Sequence, residues 1–266
     1  MQLPMKVHAV KIRYREQLLK KMPHGKFVEY RGKRHVIVYY VPGDPLVTKQ
    51  TAKRYSLTSK HGKVYTPKIE KFIKIKAEYD RLLVDWREIY AVEPPMVRFP
   101  IVQTYDPHHM NNKFFENAQE NTNIIPAKNP VYSDEYVLKS KNEQFGKGVL
   151  KKYKIPFKYE PNLDVNCPED YVPDFLLSFY EIDRCIYAEI YGRTDDADYS
   201  TKLARKTCFY AQNHYRQGRE IILCFMYDKS NFDEDNFTEL VLGAYDTLIP
   251  DSALDWGNCQ PPSICE

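Results

Sequence analysis

The chain has 266 residues, 43% of them apolar and 28% charged, with 22 tyrosines, a composition that excludes a collagen-like or intrinsically disordered protein. The formal net charge of +3 conceals an uneven distribution: residues 1–100 carry 22 basic and 9 acidic side chains, while residues 101–266 carry 17 and 27. From Ser230 onward there are 8 acids and no base. A basic first third points to a polyanionic partner. No apolar run reaches the length of a membrane span, and the opening MQLPMKVHAVKIRYREQ lacks the apolar stretch of a signal peptide, which predicts a cytoplasmic protein with no membrane partner. The cysteines show no CxxC or Cys/His ligand spacing, so reduced thiols are expected in place of a zinc site.

Residues 26–56 alternate short β-prone runs with turn signals at Arg31-Gly32 and Pro42-Gly43-Asp44-Pro45, which predicts a small antiparallel sheet. Lysines and arginines flank every strand. That fits a sheet lying on a nucleic-acid backbone and equally an ordinary solvated edge. Thr66-Pro67 reads as a helix start, and Ile69, Phe72, Ile73, Leu83, Trp86 and Tyr90 continue one apolar stripe to about residue 90. Residues 93–130 hold six of the 18 prolines and read as a connector with one short helix near residues 114–119. His108 and His109 beside Asp106 could be metal ligands, but the surrounding prolines and asparagines favour an exposed loop. The division expected is a basic region over 1–92, a connector over 93–132 and a core over 133–266.

Within that core the pattern predicts a helix over 141–153, strands over 157–163, 172–180 and 185–191, a helix over 198–215, a strand over 219–226 and a last helix from about residue 235. This is a mixed α/β class with an αβββαβ order, a central mixed sheet and flanking helices. The second and third strands form a hairpin. Period-two alternation gives one apolar face of Phe175, Leu177 and Phe179 and another of Ile186, Ala188 and Ile190. The register that makes those faces coincide pairs Phe175 with Ala188. It also sets Asp174 opposite Glu189, with Cβ atoms roughly 5 Å apart.

Two facing carboxylates repel unless a cation sits between them. Magnesium, held by one or two carboxylates plus waters and phosphate oxygens, suits so sparse a set. The bland alternative is that Asp174 follows a turn-forming proline and Glu189 makes a surface pair. In the following helix Tyr199, Leu203, Lys206 and Tyr210 share one face, which must cover the sheet. Lys206 there either snorkels to solvent or reaches the carboxylates. In the preceding helix Glu143 shares a face with Gly146, Leu150 and Tyr153, and Gly146 permits close approach to the sheet.

Taken in order, Ser140-Lys141-Asn142-Glu143, Ile155-Pro156-Phe157-Lys158-Tyr159-Glu160, Val172-Pro173-Asp174-Phe175 and Glu189-Ile190-Tyr191-Gly192, followed by Tyr199, Lys206 and Tyr210, resemble the PD-(D/E)xK nuclease superfamily. The resemblance is to its bacterial ExxG-motif branch found in Firmicutes, and Met22-Pro23-His24-Gly25-Lys26 extends it toward the N-terminus. It implies a restriction endonuclease-like core in which Asp174 and Glu189 bind Mg²⁺ or Mn²⁺, Glu143 assists as a third ligand or from outside the shell, and a lysine helps activate the attacking water. The usual lysine two residues after Glu189 is Tyr191 here. Lys206 is the matching migrated lysine, with Lys202 and Arg205 as fallbacks. The expected function is metal-dependent DNA hydrolysis, with a homodimer left open. The rivals are a catalytically inactive nuclease-fold DNA-binding protein and a protein-interaction module that docks through the acidic tail and basic first third.

Overall fold

A computed structural model describes residues 3–101, 106–123, 125–127, 129–168, 171–192, 197–226 and 232–257. Two units with separate cores make up the chain, one of His8–Val97 with Leu254–Glu266 and one of Met1–Val7 with Arg98–Ala253.

The chain opens with α1 (Met5–Lys20), a helix that the sequence pattern did not predict. Residues 7–12 are all buried, with His8 and Lys11 among them, so no polar face marks its periodicity. The predicted antiparallel sheet is present as β1 (His24–Tyr30), β2 (Lys33–Tyr40) and β3 (Lys53–Ser56), in the order β1-β2-β3. Phe27 pairs with Val36 and Val36 with Tyr55. This face packs on α2 (Lys60–Tyr90), where Ile69 joins Val36, Val38 and Val47 in a buried cluster.

The start of α2 corrects the reading from Thr66-Pro67. Ser59 is the N-cap, accepting from Gly62 N, and Pro67 lies inside the helix. Gly62 explains the extra turns: a Cβ there would stand 1.8 Å from Ser56 O, so only glycine lets the first turn lie against the end of β3. After α2 comes the two-residue strand β4 (Met96–Val97).

In the second unit α3 (Asn112–Asn117) is followed by a hairpin of β5 (Val131–Ser133) and β6 (Tyr136–Leu138), then α4 (Lys141–Lys152). β7 (Phe157–Tyr159), β8 (Phe175–Phe179), β9 (Arg184–Tyr191), α5 (Ala197–Gln212), β10 (Ile221–Phe225) and α6 (Glu234–Thr247) complete the predicted order. The sheet runs β10-β9-β8-β7, with β9 and β10 parallel and the other neighbours antiparallel. β7 is shorter than expected because Glu160 takes a left-handed conformation, φ +42°. The stretch read as a connector has partners here: Asn121 and Thr122 donate backbone N–H groups to Tyr159 O and Glu160 O. β11 (Leu254–Asp255) pairs with β4 in the other unit's fold.

The hairpin register is the predicted one, Phe175 with Ala188 and Leu177 with Ile186. One face meets α4 and α6. A Cβ on Gly146 would stand 2.7 Å from Ile190 Cδ1 and 3.5 Å from Phe237, which is the close approach its position predicts. The other face, with Leu176, Cys185 and Tyr187, packs against Tyr210 of α5 and Tyr215. Among the described residues no helix is long and apolar enough to cross a membrane. Among the described residues Cys185, Cys208 and Cys224 form no disulfide; Cys259 and Cys265 lie outside the described residues.

Candidate functional site

Asp174 immediately precedes β8, and continuing the register places it opposite Glu189 of β9. Its Oδ2 accepts the Ile190 N–H at 2.7 Å, which fixes the carboxylate across the strand pair. Glu189 is 5% exposed. Its Oε1 accepts from Lys206 Nζ at 2.5 Å, while its Oε2 is buried with no hydrogen-bond partner. Lys206 also donates to Val172 O at 3.0 Å. Both carboxylates lie on the sheet face that α5 covers, and the inward stripe of α5 delivers the lysine to Glu189.

Burial pushes the Asp174 carboxyl well above the usual carboxylate range; Glu189 and Glu143 add to this, and Lys206 and the Ile190 N–H oppose it. Burial also raises Glu189, with Lys206 the main opposing influence and Glu143 a further upward one. Each carboxyl is therefore harder to ionise than a free one, and positive charge beside the pair favours its ionised form. Tyr191 cannot stand in for a lysine. Burial first, then the charge of Glu189, pushes its phenol upward, so it is a neutral packed ring with its hydroxyl 3.4 Å from Thr207 Oγ1.

A cavity of about 130 Å³ opens beside this pair, lined by Glu189, Lys206, Tyr171, Tyr191, Tyr199 and Lys202 among others. Of the fallback cations, Lys202 lines this cavity, and both Lys202 and Arg205 are exposed.

Glu143 is buried near the pair but engaged elsewhere. Its Oε1 accepts from the Ser140 hydroxyl at 2.9 Å, and its Oε2 accepts from Lys139 N at 2.8 Å and Tyr159 OH at 2.7 Å. Ser140 in turn accepts the Glu143 N–H at 3.2 Å. This is a variant of the capping box at the start of α4, with the carboxylate reaching Lys139 N in place of the N-cap N–H, and the spacing Ser-x-x-Glu carried that signal in the sequence. Tyr159, which holds Glu143, and Glu160, buried and paired with Lys139 at 2.7 Å, stood in a quoted motif but were given no site role by the sequence reading. The left-handed turn at Glu160, which aims that carboxylate, has no side-chain signature in the sequence.

The Asp106, His108 and His109 segment is not a ligand cluster. His108 Nδ1 meets Asp164 Oδ2 at 2.7 Å, its Nε2 meets Asn213 O at 2.9 Å, and its ring stacks on Tyr215. Asp106 pairs with Arg184. His109 alone is exposed as the loop reading expected. Three of the acids after Ser230 have partners within the fold: Asp233 caps α6, Glu234 meets Lys152 at 2.6 Å and Asp246 meets Lys6 at 3.5 Å.

Among the described residues no group of three or more His, Cys, Asp and Glu side chains is disposed to hold a metal ion. The donor set at Asp174 and Glu189 is therefore two carboxylates. The unpartnered Glu189 Oε2 beside a second carboxylate suits a hard divalent cation completed by water and phosphate oxygens, and it does not suit zinc or a calcium cage. Comparison of the chain with protein-family models, with curated proteins and with solved structures finds no match.

Proposed function

We propose that the chain is a metal-dependent nuclease that hydrolyses phosphodiester bonds of DNA, with Asp174 and Glu189 holding Mg²⁺ or Mn²⁺ and Lys206 assisting. The observation that carries the reading is the convergence of Asp174, Glu189 and Lys206, from two strands and a helix, around a buried carboxylate oxygen left without a partner. The αβββαβ order with these residues on it supports a restriction endonuclease-like core.

A divalent ion bound at the two carboxylates would polarise a phosphate and lower the pKa of a bound water. The chain's own residues do the rest. Ile190 N–H keeps Asp174 oriented. Lys206 keeps a fixed positive charge beside Glu189, where it can orient a water or offset charge growing on phosphate oxygens. Glu143, held in its cap, adds negative potential that favours a cation at the pair. The basic residues of the first hundred supply contacts to the phosphate backbone, which give affinity without sequence information.

The test is cleavage of plasmid and single-stranded DNA in Mg²⁺ or Mn²⁺ by the wild type, Asp174→Ala and Glu189→Ala. Each substitution is expected to lower the rate about 100-fold or more, the loss of a few kcal/mol of metal-dependent stabilisation. Cleavage that persists in both variants would sink the site assignment.

Two features favour a second reading, a nuclease-fold DNA-binding protein without the reaction: Tyr191 at the usual lysine position and Glu143 committed to a cap. DNA binding with no cleavage by any form, and no heat of Mg²⁺ or Mn²⁺ binding by calorimetry, would select it.

A further inference from the structure

We infer that the open face of the β1-β2-β3 sheet is a binding platform for single-stranded nucleic acid. The alternation of the strands sorts their side chains. Gly25, Val36 and Val38 are buried on the α2 side. The opposite face carries Lys26, Tyr30, Lys33, His35 and Arg54, none of which is buried. Glu29 is the one acid in the three strands, and it pairs with Arg34 on the α2 side. Every charge on the open face is therefore positive, and the partner it complements is a polyanion.

The rings narrow the polyanion to a single strand. Tyr30 is 38% exposed. The Arg54 guanidinium rests 3.7 Å from its ring centroid, with Arg31 at 5.3 Å and the His35 ring edge-on at 5.9 Å. A duplex hides its base faces and offers this surface only phosphates. A single strand offers both, and bases stack on aromatic rings and on arginine planes while the phosphates meet lysines. From Lys26 to Tyr30 the strand spans roughly 13 Å, room for a few nucleotides. The bases would lie on Tyr30 and Arg54, and Lys26 and Lys33 would meet the phosphates. This inference names the form of nucleic acid that the proposed nuclease would hold. It rests on residues remote in sequence from Asp174 and Glu189 and is tested without divalent metal, so it can fail while the nuclease reading stands, and the reverse.

The experiment is fluorescence anisotropy of the full chain in EDTA with labelled oligonucleotides of about 12 nucleotides, as single-stranded DNA, single-stranded RNA and the DNA duplex. Either single strand should bind at least fivefold tighter than the duplex, a margin of about one stacked base. Tyr30→Ala and Arg54→Ala should each weaken single-strand binding about tenfold, whereas Tyr30→Phe should keep it. Lys26→Gln and Lys33→Gln should each reduce the slope of log affinity against log salt by about 0.7. Duplex binding as tight as single-strand binding would overturn the proposal. So would a Tyr30→Phe that binds as weakly as Tyr30→Ala, or no binding at low salt.

Discussion

Glu189 sits between an amine that stabilises its charge and a carboxylate that opposes it, and the balance sets how the protein responds to pH. Asp174 and Glu189 both titrate above their ordinary values, burial being the first cause. The native chain therefore keeps protons that the unfolded chain has lost, and stability falls as pH climbs from the ordinary carboxylate range through the raised values. In metal-free buffer near neutral pH, Asp174→Asn should raise the melting temperature by about 2–4 °C, the shift that roughly 1 kcal/mol produces in a domain of this size. The gain should vanish as pH is lowered toward about 4; no gain at neutral pH would refute the repulsion. Lys206→Met acts in the opposite direction, because it strands a carboxylate that is 5% exposed. A cost of about 3 kcal/mol is expected, partly recovered by adding Glu189→Gln, and denaturant melts of the three variants check it.

At the level of elements, the start of α2 depends on the absence of a side chain. Gly62→Ala replaces glycine with the best helix former, which alone should stabilise a helix by about 1 kcal/mol. Yet its Cβ would stand 1.8 Å from Ser56 O and 2.8 Å from Ser56 C, backbone atoms that cannot rotate away. Destabilisation of roughly 2 kcal/mol or more is expected, read from urea melts; a stabilised variant would refute the account. The same contact shows why this helix start was illegible. His61-Gly62 looks like a turn and Thr66-Pro67 like a cap, and only the tertiary position of Ser56 decides between them. The β8–β9 register was legible because both strands alternate cleanly, and a slip of one residue would expose every apolar side chain. Lys206 was legible for a related reason, as a charge on a helix face that had to be buried. The β5–β6 hairpin was missed: it is two three-residue strands with Tyr132 and Val137 exposed, too short to set up a pattern. Glu143 was read as a candidate ligand when its Ser-x-x-Glu spacing equally described the cap it makes.

Across the whole molecule, the near-neutral total charge resolves into a basic unit around β1–β3 and α2 and a second unit whose acids are drawn into caps, ion pairs and the candidate site. The acidic stretch after Ser230 needed no partner molecule to account for Asp233, Glu234 and Asp246, something composition alone could not reveal because Asp233 meets a backbone N–H and the cations of Glu234 and Asp246 lie far away in sequence. If Mg²⁺ binds at Asp174 and Glu189, adding it should slow amide exchange chiefly in β8, β9 and α5, and a single-stranded oligonucleotide in EDTA should do so in β1–β3. Mass-spectrometric mapping of exchange checks both, and protection by Mg²⁺ confined to segments outside β8, β9 and α5 would place the ion elsewhere. Because Lys206 arrives on α5 and not two residues along β9, the charge balance of the site is completed late in chain order. A growing chain that ends at Gly192 already holds both carboxylates but not the amine that relieves them. Until α5 has been made and docked, the two carboxylates have only water, protons or dissolved cations to offset their repulsion.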